Sequence, residues 1–312
     1  MNQETLKNKK IAVIGIGGVG GYMAGMLGNH YPHVTLAARG ERLESIRKHG
    51  LTLHSDYNGE ITITPEYAVP IEELEEQDYI FVCVKNYSLE EVCRSMAHAV
   101  TDHTIIVPVM NGVDPGERIR KYLNKGIVVD SLIYIVAFAN ADFSVTQQGN
   151  FAKLYIGIQN ADAEQQQVIA ELSELLSGAD IDHKAAPDIE QAIWRKYILN
   201  CAYNVTTAYY DNTIGQIRND PVKAKEYEDL VQEAYQIALA KHVSVTQAHI
   251  DTILYKFYHE YADNATSSLQ RDVTAGKRSE LETFSGYLVK EAERLGVSVP
   301  VTERMYHGLK DK

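Results

Sequence analysis

Cysteine is scarce in this chain, and the little there is forms no pattern. Cys83, Cys93 and Cys201 are odd in number and make no Cys-x-x-Cys pair. That excludes a disulfide scaffold and fits buried thiols in a reducing, cytoplasmic setting. Eleven histidines are scattered, without a His-Glu-x-x-His motif or a compact Cys/His cluster, so no metal site is expected. Positive charge is also short. Thirty Lys and Arg against 42 Asp and Glu leave a net charge of −12, which argues against nucleic acid or an anionic membrane as the main partner. A small anionic substrate is not excluded, because a local basic site can sit in an acidic protein. No apolar run of about eighteen residues stands outside one glycine-rich segment near the N-terminus, and no internal repeat or low-complexity linker appears.

What is present is ordinary globular material. A 45% hydrophobic and 23% charged chain of 312 residues is too long for most single cores, so two domains are expected.

The first is organised around Gly15–Ile16–Gly17–Gly18–Val19–Gly20–Gly21. Ile11–Ile14 before it is an apolar run suited to a buried parallel strand, and Tyr22–Leu27 after it is compatible with a helix. Strand, glycine turn and helix are the context in which Gly-x-Gly-x-x-Gly means a dinucleotide site. Gly15 lets the chain turn, Gly17 lets a pyrophosphate approach the backbone, and Gly20 lets helix and sheet pack closely. The helix N-terminus then offers N–H groups and partial positive charge to the phosphates. Two other readings compete. One is a glycine-rich turn without a ligand. The other is a targeting or membrane segment, since Lys7, Lys9 and Lys10 before an apolar stretch resemble a signal peptide, and Gly17, Gly21 and Gly25 repeat a membrane-dimer spacing. Seven glycines between 15 and 28 would, however, weaken a spanning helix.

Val34–Ala38 reads as a second strand ending at Arg39–Gly40, where an NAD-binding unit carries an acidic residue for the ribose hydroxyl. Arg39, with Arg42 close behind, suits a 2′-phosphate instead, which favours NADP(H). Alternatively Arg39 is a solvated residue opening the helix Glu41–Lys48. The alternating segments Leu51–His54 and Ile61–Thr64 around Asn58–Gly59 predict a β-hairpin. Asp78–Val84 and Thr104–Met110 are further buried strands, ending at Lys85–Asn86 and Asn111–Gly112. A helix is expected over Ser88–Ala99, and Asp114 can cap the next one. Gly15, Arg39, Lys85 and Asn111 therefore stand at the carboxyl ends of parallel strands, where ligands gather. From Gly126 to Ile158 the pattern is strands, with a turn expected at Gln147–Asn150. An amphipathic helix follows over Ala163–Leu176, then a short strand at Ile181–His183. Beyond Ala186–Pro187 the pattern is helical, which sets the expected domains at 1–186 and 187–312.

In the helical part Lys196, Asn200 and Asn204 stand four apart and make one polar stripe among Ile193, Tyr197, Ile198, Cys201, Ala202 and Val205. Such a stripe is costly to bury unless satisfied, and equally could be a surface face. Further on, Ser268 and Asp272 are four apart, Gly276 breaks the helix, and Ser279 can open another that carries Glu280 inward. Ser279 and Glu282 read equally well as a capping box.

Across nearly its whole length the chain resembles the ketopantoate reductase (2-dehydropantoate 2-reductase) family. The resemblance rests on Gly15-x-Gly17-x-x-Gly20, Arg39–Gly40, Val84–Lys85, Asn111–Gly112, Trp194-x-Lys196-x-x-x-Asn200-Cys201-x-x-Asn204, and Ser267–Ser268 through Asp272 to Ser279–Glu280. It implies an α/β fold: an N-terminal Rossmann-like, doubly wound, mainly parallel sheet holding NADP(H), and an all-helical C-terminal domain holding a small 2-oxo acid. It further implies Lys196 as general acid and Glu280 as its catalytic partner, with Asn111, Asn200, Asn204 and Ser268 binding substrate. Gly15, Ile16, Gly17, Gly18, Val19, Gly20, Arg39, Lys85 and Asn111 are the cofactor residues so implied. The expected reaction is reduction of 2-dehydropantoate to pantoate on the way to pantothenate and coenzyme A. The rivals are another 2-oxo acid as substrate, or an NADPH-binding sensor without turnover, which would need neither Lys196 nor Glu280. The chain departs from the family where it has Val205–Thr206–Thr207 for Pro-Leu-Thr, Leu269 for a frequent methionine, and Ser279–Glu280–Leu281–Glu282 for Thr-Glu-Ile-Asp. No charged group of the mechanism is lost. The apolar, tyrosine-rich helical faces could support a homodimer, though twenty tyrosines are also good core material.

Overall fold

The computed structural model describes residues 3–310. The chain divides into two compact units, Met1–Ile189 and Glu190–Lys312. The division falls just past Ala186–Pro187 because Ile189, buried beside Gly157, packs with the first unit although it opens the first helix of the second.

The first unit carries eleven strands among the described residues. In chain order they are β1 (Ile11–Ile14), β2 (Val34–Ala37), β3 (Leu51–Ser55), β4 (Gly59–Ile63), β5 (Tyr67–Val69) and β6 (Tyr79–Val82). Then follow β7 (Ile105–Pro108), β8 (Ile127–Val128), β9 (Asp130–Ala139), β10 (Val145–Gly157) and β11 (His183–Ala185). Six of them form a parallel sheet in the order β5-β2-β1-β6-β7-β8. Every residue of β1, β2, β6 and β7 is buried, as an unbroken apolar strand covered on both faces should be. The chain runs outward from β1 through β2 to β5, then returns to β6 on the other side of β1. That reversal places the switch point of the sheet beside the carboxyl end of β1. The expected doubly wound parallel sheet is present.

One face of the sheet is covered by the helices Leu89–Met96 and Pro115–Tyr122, whose Leu89, Val92, Met96 and Ile119 join Ala12, Ile14, Ile80 and Val82 in one core. The other face is covered by the helix Gly18–His30, buried continuously from Gly20 to Leu27. It is buried all round because a second sheet, β11-β10-β3-β4 with β9 on β10, lies on its far side. Gly21 lies against Val145, Gly25 against Leu53 and Gly28 against Ile63, so a side chain at each would meet a strand of that sheet. The small-residue spacing that imitates a membrane-dimer face is here a close helix-to-sheet contact.

The hairpin around Asn58–Gly59 forms as expected, with Leu53 opposite Ile61. The turn expected at Gln147–Asn150 does not. Strand β10 runs through these residues, and the connection to β9 is made earlier, where the Asn140 N–H meets the Ser144 carbonyl at 2.9 Å. The polar run is a bulge between Gln148 and Lys153. The fully buried Gln147 side chain holds it, donating to the carbonyls of Gln148 and Gly149 at 2.8 Å and of Phe151 at 3.1 Å. Three smaller expectations shift. The helix of Ser88–Ala99 is α-helical only over Leu89–Met96, between 3₁₀ turns. The strand expected at Ile181–His183 is His183–Ala185. Asp114 stands at the N-cap of its helix without a side-chain capping bond, its carboxylate 4.0 Å from Arg118.

Among its described residues the second unit has helices and connecting loops, and no strand. Its first helix, Ile189–Tyr210, buries Trp194, Tyr197, Ile198, Cys201, Ala202 and Val205 on one side, and ends where Asp211 turns left-handed at φ 50°. Pro221–Ala240 starts at a proline capped by Asp220, which accepts from the N–H groups of Val222 and Lys223. Glu233 on that helix caps another, Pro300–Lys310, by accepting from the Val301 and Thr302 N–H groups at 2.9 and 2.8 Å.

Candidate active site

In the first unit the site is the glycine turn and the strand ends beside it. Gly15 leaves β1 at φ 89°, and a Cβ there would lie 2.6 Å from Val84 and 3.0 Å from the Cys83 carbonyl oxygen. A Cβ on Gly20 would overlap the carbonyl oxygen of Gly15, which only a glycine tolerates so close. Gly17 is different: nothing lies within 4 Å of where its Cβ would be. The turn is therefore tight where it meets the sheet and open at Gly17. Gly18 passes close to the Ala137 carbonyl of β9. Ile16 is buried and Val19 packs against the core, so both have only backbone to offer a ligand.

Arg39 follows β2, its side chain 82% exposed and one nitrogen 3.7 Å from Glu91. Such an exposed pair is weak and yields to a phosphate at little cost. Arg42 is committed elsewhere: its guanidinium lies over the Phe143 ring, 5.2 Å from the centroid, and donates to the Phe143 carbonyl. Lys85 and Asn111 stand just beyond β6 and β7, both partly buried. Asn86, buried and without any signal in the sequence spacing, ties these two strand ends together. It donates to the Asn111 carbonyl at 2.6 Å and accepts from Arg118 at 3.2 Å. Gly15, Arg39, Lys85 and Asn111 thus stand at the carboxyl ends of four neighbouring parallel strands.

In the second unit the polar stripe is tied into the fold by hydrogen bonds at its Asn204 end. Asn204 is buried; its amide donates to the Asn200 carbonyl at 3.1 Å, and its oxygen accepts from the Ser268 hydroxyl at 3.3 Å and the Leu269 N–H at 3.5 Å. Ser267 caps the short helix Ser268–Thr274 and takes the Thr207 hydroxyl at 2.7 Å. Asn204 therefore fixes Ser268 and Asn200 relative to one another. Lys196, one turn before Asn200, keeps some exposed surface, but burial of its ammonium lowers its pKa from 10.5 to about 8. The negative charge of Glu280 opposes that fall. Glu280 is only 5% exposed. It stands immediately before a helix that opens into a π-turn over Glu282–Gly286. The capping box offered by Ser279 and Glu282 is not formed; Glu282 accepts from the Tyr306 hydroxyl at 2.7 Å instead.

At pH 7 an ammonium with a pKa of about 8 is protonated roughly ten to one, yet gives up its proton far more readily than a free lysine. The arrangement can stabilise a developing oxyanion and then protonate it. Among the described residues no group of three His, Cys, Asp or Glu side chains could hold a metal ion, and no helix is long and apolar enough to cross a membrane.

Two family models match the chain: "Ketopantoate reductase PanE/ApbA" over residues 11–161, and "Ketopantoate reductase PanE/ApbA C terminal" over residues 188–312. An uncharacterized oxidoreductase, YkpB, of Bacillus subtilis (strain 168) is 26% identical over 300 residues, covering 96% of this chain and 97% of the relative. The crystal structure of 2-dehydropantoate 2-reductase from Porphyromonas gingivalis W83 is 29% identical, with a TM-score of 0.81 over 97% of this chain and 99% of that one. A ternary structure of D-mandelate dehydrogenase with NADH and anilino(oxo)acetate shares the fold at a TM-score of 0.86 and 19% identity, over 97% of each chain. With both models matched in order along a parallel-sheet unit and a helical unit, the chain belongs to the ketopantoate reductase family of oxidoreductases.

Proposed function

We propose that this chain reduces a small branched 2-oxo acid with NADPH, and that the acid is 2-dehydropantoate, converted to pantoate for pantothenate and coenzyme A synthesis. The observation that carries the reading is the Lys196 ammonium, held near a pKa of about 8 by burial against the charge of Glu280, in a chain of this family. A nucleotide sensor has no use for a proton donor tuned in this way.

The residues present fit the cofactor. The backbone N–H groups of Ile16, Gly18, Val19 and Gly20 would hold the pyrophosphate at the N-terminus of a thirteen-residue helix, while those of Gly15 and Gly17 are donated to the Ala37 and Gly15 carbonyls and shape the turn. Arg39 would take the 2′-phosphate, and Lys85 and Asn111 would complete the cofactor site at the strand ends. When bound, NADPH supplies the hydride for the keto carbon.

The chain's own residues do the rest. Asn200, Asn204 and Ser268 bind and orient the oxo acid, Asn204 also holding Ser268 and Asn200 in register. As negative charge grows on the keto oxygen, Lys196 stabilises it and transfers a proton from Nζ to that oxygen. Glu280 keeps the lysine charged enough to do so and binds the substrate hydroxyl.

The test is NADPH oxidation with 2-dehydropantoate beside a panel of other 2-oxo acids. The highest kcat/KM is expected with 2-dehydropantoate. A better substrate elsewhere in the panel would overturn the substrate, and no turnover with any of them would overturn the reaction.

A further inference from the structure

The helix that follows Glu280 is irregular at one place. Over Glu282–Gly286 it widens to a π-turn, and the Tyr287 N–H closes on the carbonyl of Glu282, five residues back. In an α-helix that N–H would have gone to Thr283, four residues back. The Thr283 carbonyl is taken by a side chain from another helix: the Tyr197 hydroxyl donates to it at 2.8 Å and lies 2.9 Å from the Phe284 carbonyl. Cys201, one turn further along the same helix, brings its thiol to 3.5 Å from the Phe284 carbonyl. Burial keeps that thiol protonated and so able to donate.

The ring of Tyr197 is fixed as well. It meets Trp194 edge-on, centroids 5.5 Å apart, and Tyr287 edge-on at 5.8 Å, so it is clamped between its own helix and the helix beyond the turn. Tyr197 follows Lys196 directly, and the turn begins two residues after Glu280. One hydroxyl therefore fastens the segment bearing Glu280 to the helix bearing Lys196. The other carboxylate of the turn, Glu282, is held apart by Tyr306, which leaves Glu280 as the acidic group whose field acts on the lysine.

We propose that Tyr197 is a positioning residue: its hydroxyl holds the π-turn open against the Ile189–Tyr210 helix, and thereby sets the distance between Glu280 and the Lys196 ammonium. Widened turns persist where a site uses the displaced residue, and here the displaced carbonyl is satisfied from the neighbouring helix rather than left buried and unpaired. The proposal deepens the reading of Lys196 as proton donor and rests on it.

The experiment compares the intact chain with Tyr197→Phe, which keeps the ring and its edge-on contacts and removes only the hydroxyl. The primary readout is the pH dependence of Lys196 acylation by acetic anhydride, followed by mass spectrometry on the protein without substrate. Loosening Glu280 weakens the charge that supports the ammonium, so the midpoint for Tyr197→Phe is expected to fall by about half a pH unit or more. The alkaline limb of kcat/KM should fall with it. In the Glu280→Gln background, Tyr197→Phe should move the midpoint no further, because the charge it positions is gone. Cys201→Ala, which removes the weaker donor to the same turn, should shift the midpoint in the same direction by less, and it keeps the test decisive if Tyr197→Phe fails to fold. A lowered melting temperature with an unmoved midpoint would overturn the proposal, as would an equal shift with and without Glu280. Because acylation needs no substrate, these outcomes stand apart from a failure of the 2-oxo acid assay.

Discussion

Glu280 opposes burial at the Lys196 proton: burial drives the ammonium down to a pKa of about 8, and the charge of Glu280 keeps it from going lower. The proton donor is therefore charged at neutral pH and lost above it. The profile of kcat/KM for 2-oxo acid reduction should be level below pH 8 and fall about tenfold per pH unit above it. Glu280→Gln removes the supporting charge and should move that limb to lower pH. Lys196→Ala should reduce turnover at least about 10²-fold while NADPH still binds, measured by fluorescence titration. A limb that stays in place in Glu280→Gln would separate the two residues.

Arg39 decides which nicotinamide cofactor is used, if the open guanidinium at the end of β2 meets a 2′-phosphate. Its side chain is 82% exposed and its contact with Glu91, at 3.7 Å, is a surface pair of little strength. Arg42 has no comparable freedom, since Phe143 engages both its charge and its N–H. Arg39→Asp should lower the NADPH-to-NADH ratio of kcat/KM by about 10²-fold or more, and Arg42→Ala should change it little. An unchanged ratio in Arg39→Asp would remove that residue from the cofactor site.

The glycines of the turn should separate into two kinds. Gly17→Ala places its methyl where nothing lies within 4 Å, at an extended φ of −94°. The protein should melt as before but bind NADPH at least about tenfold more weakly, because the methyl occupies the approach to the backbone. Gly20→Ala drives its methyl into the Gly15 carbonyl oxygen. It should cost about 1–3 kcal/mol in stability before any ligand is added, visible in urea unfolding. Equal melting behaviour for the two variants would show that the turn gives way more easily than its packing implies.

Much of this was legible before the structure because the informative residues act locally. The glycine turn needs only a strand before it and a helix after it, and the Asn58–Gly59 hairpin needs only two central residues. The Lys196 stripe follows from helical spacing alone. What spacing could not reveal is where a residue's partners come from far along the chain. Gln147–Asn150 has the composition of a turn, and only the buried Gln147 amide, satisfying three carbonyls, makes it a bulge inside one strand. Gly21 and Gly25 cannot be told from part of a membrane-dimer stripe until strands β10 and β3 are seen against them. Ser279 and Glu282 stand at capping-box spacing, but the helix beyond them widens, and the tyrosine that stabilises the wide turn lies 86 residues earlier. Asn86 is one polar residue after a strand, and nothing near it in sequence announces that it braces Asn111.

Acid stability of the second unit should depend on Glu291. Hydrogen bonds from Arg294, at 2.8 and 3.2 Å, and from Lys241, at 2.7 Å, hold its carboxyl down at about 2, against 4.5 for a free glutamate. A carboxyl with a depressed folded pKa contributes stability that is complete above the unfolded value and lost as pH falls through the folded one. The contribution of Glu291 should therefore be full above pH 4.5 and disappear on approach to pH 2. Glu291→Gln should lower the melting temperature by roughly 2–6 °C at pH 7, and the gap from the parent protein should narrow steadily below pH 4.5. Lys241 lies just past the helix Pro221–Ala240 and Arg294 lies within Tyr287–Leu295, so Glu291 joins two helices. A gap that stays constant down to pH 2 would mean that the substitution disturbs packing between those helices rather than an ionic contact, and calorimetry across the pH series distinguishes the two.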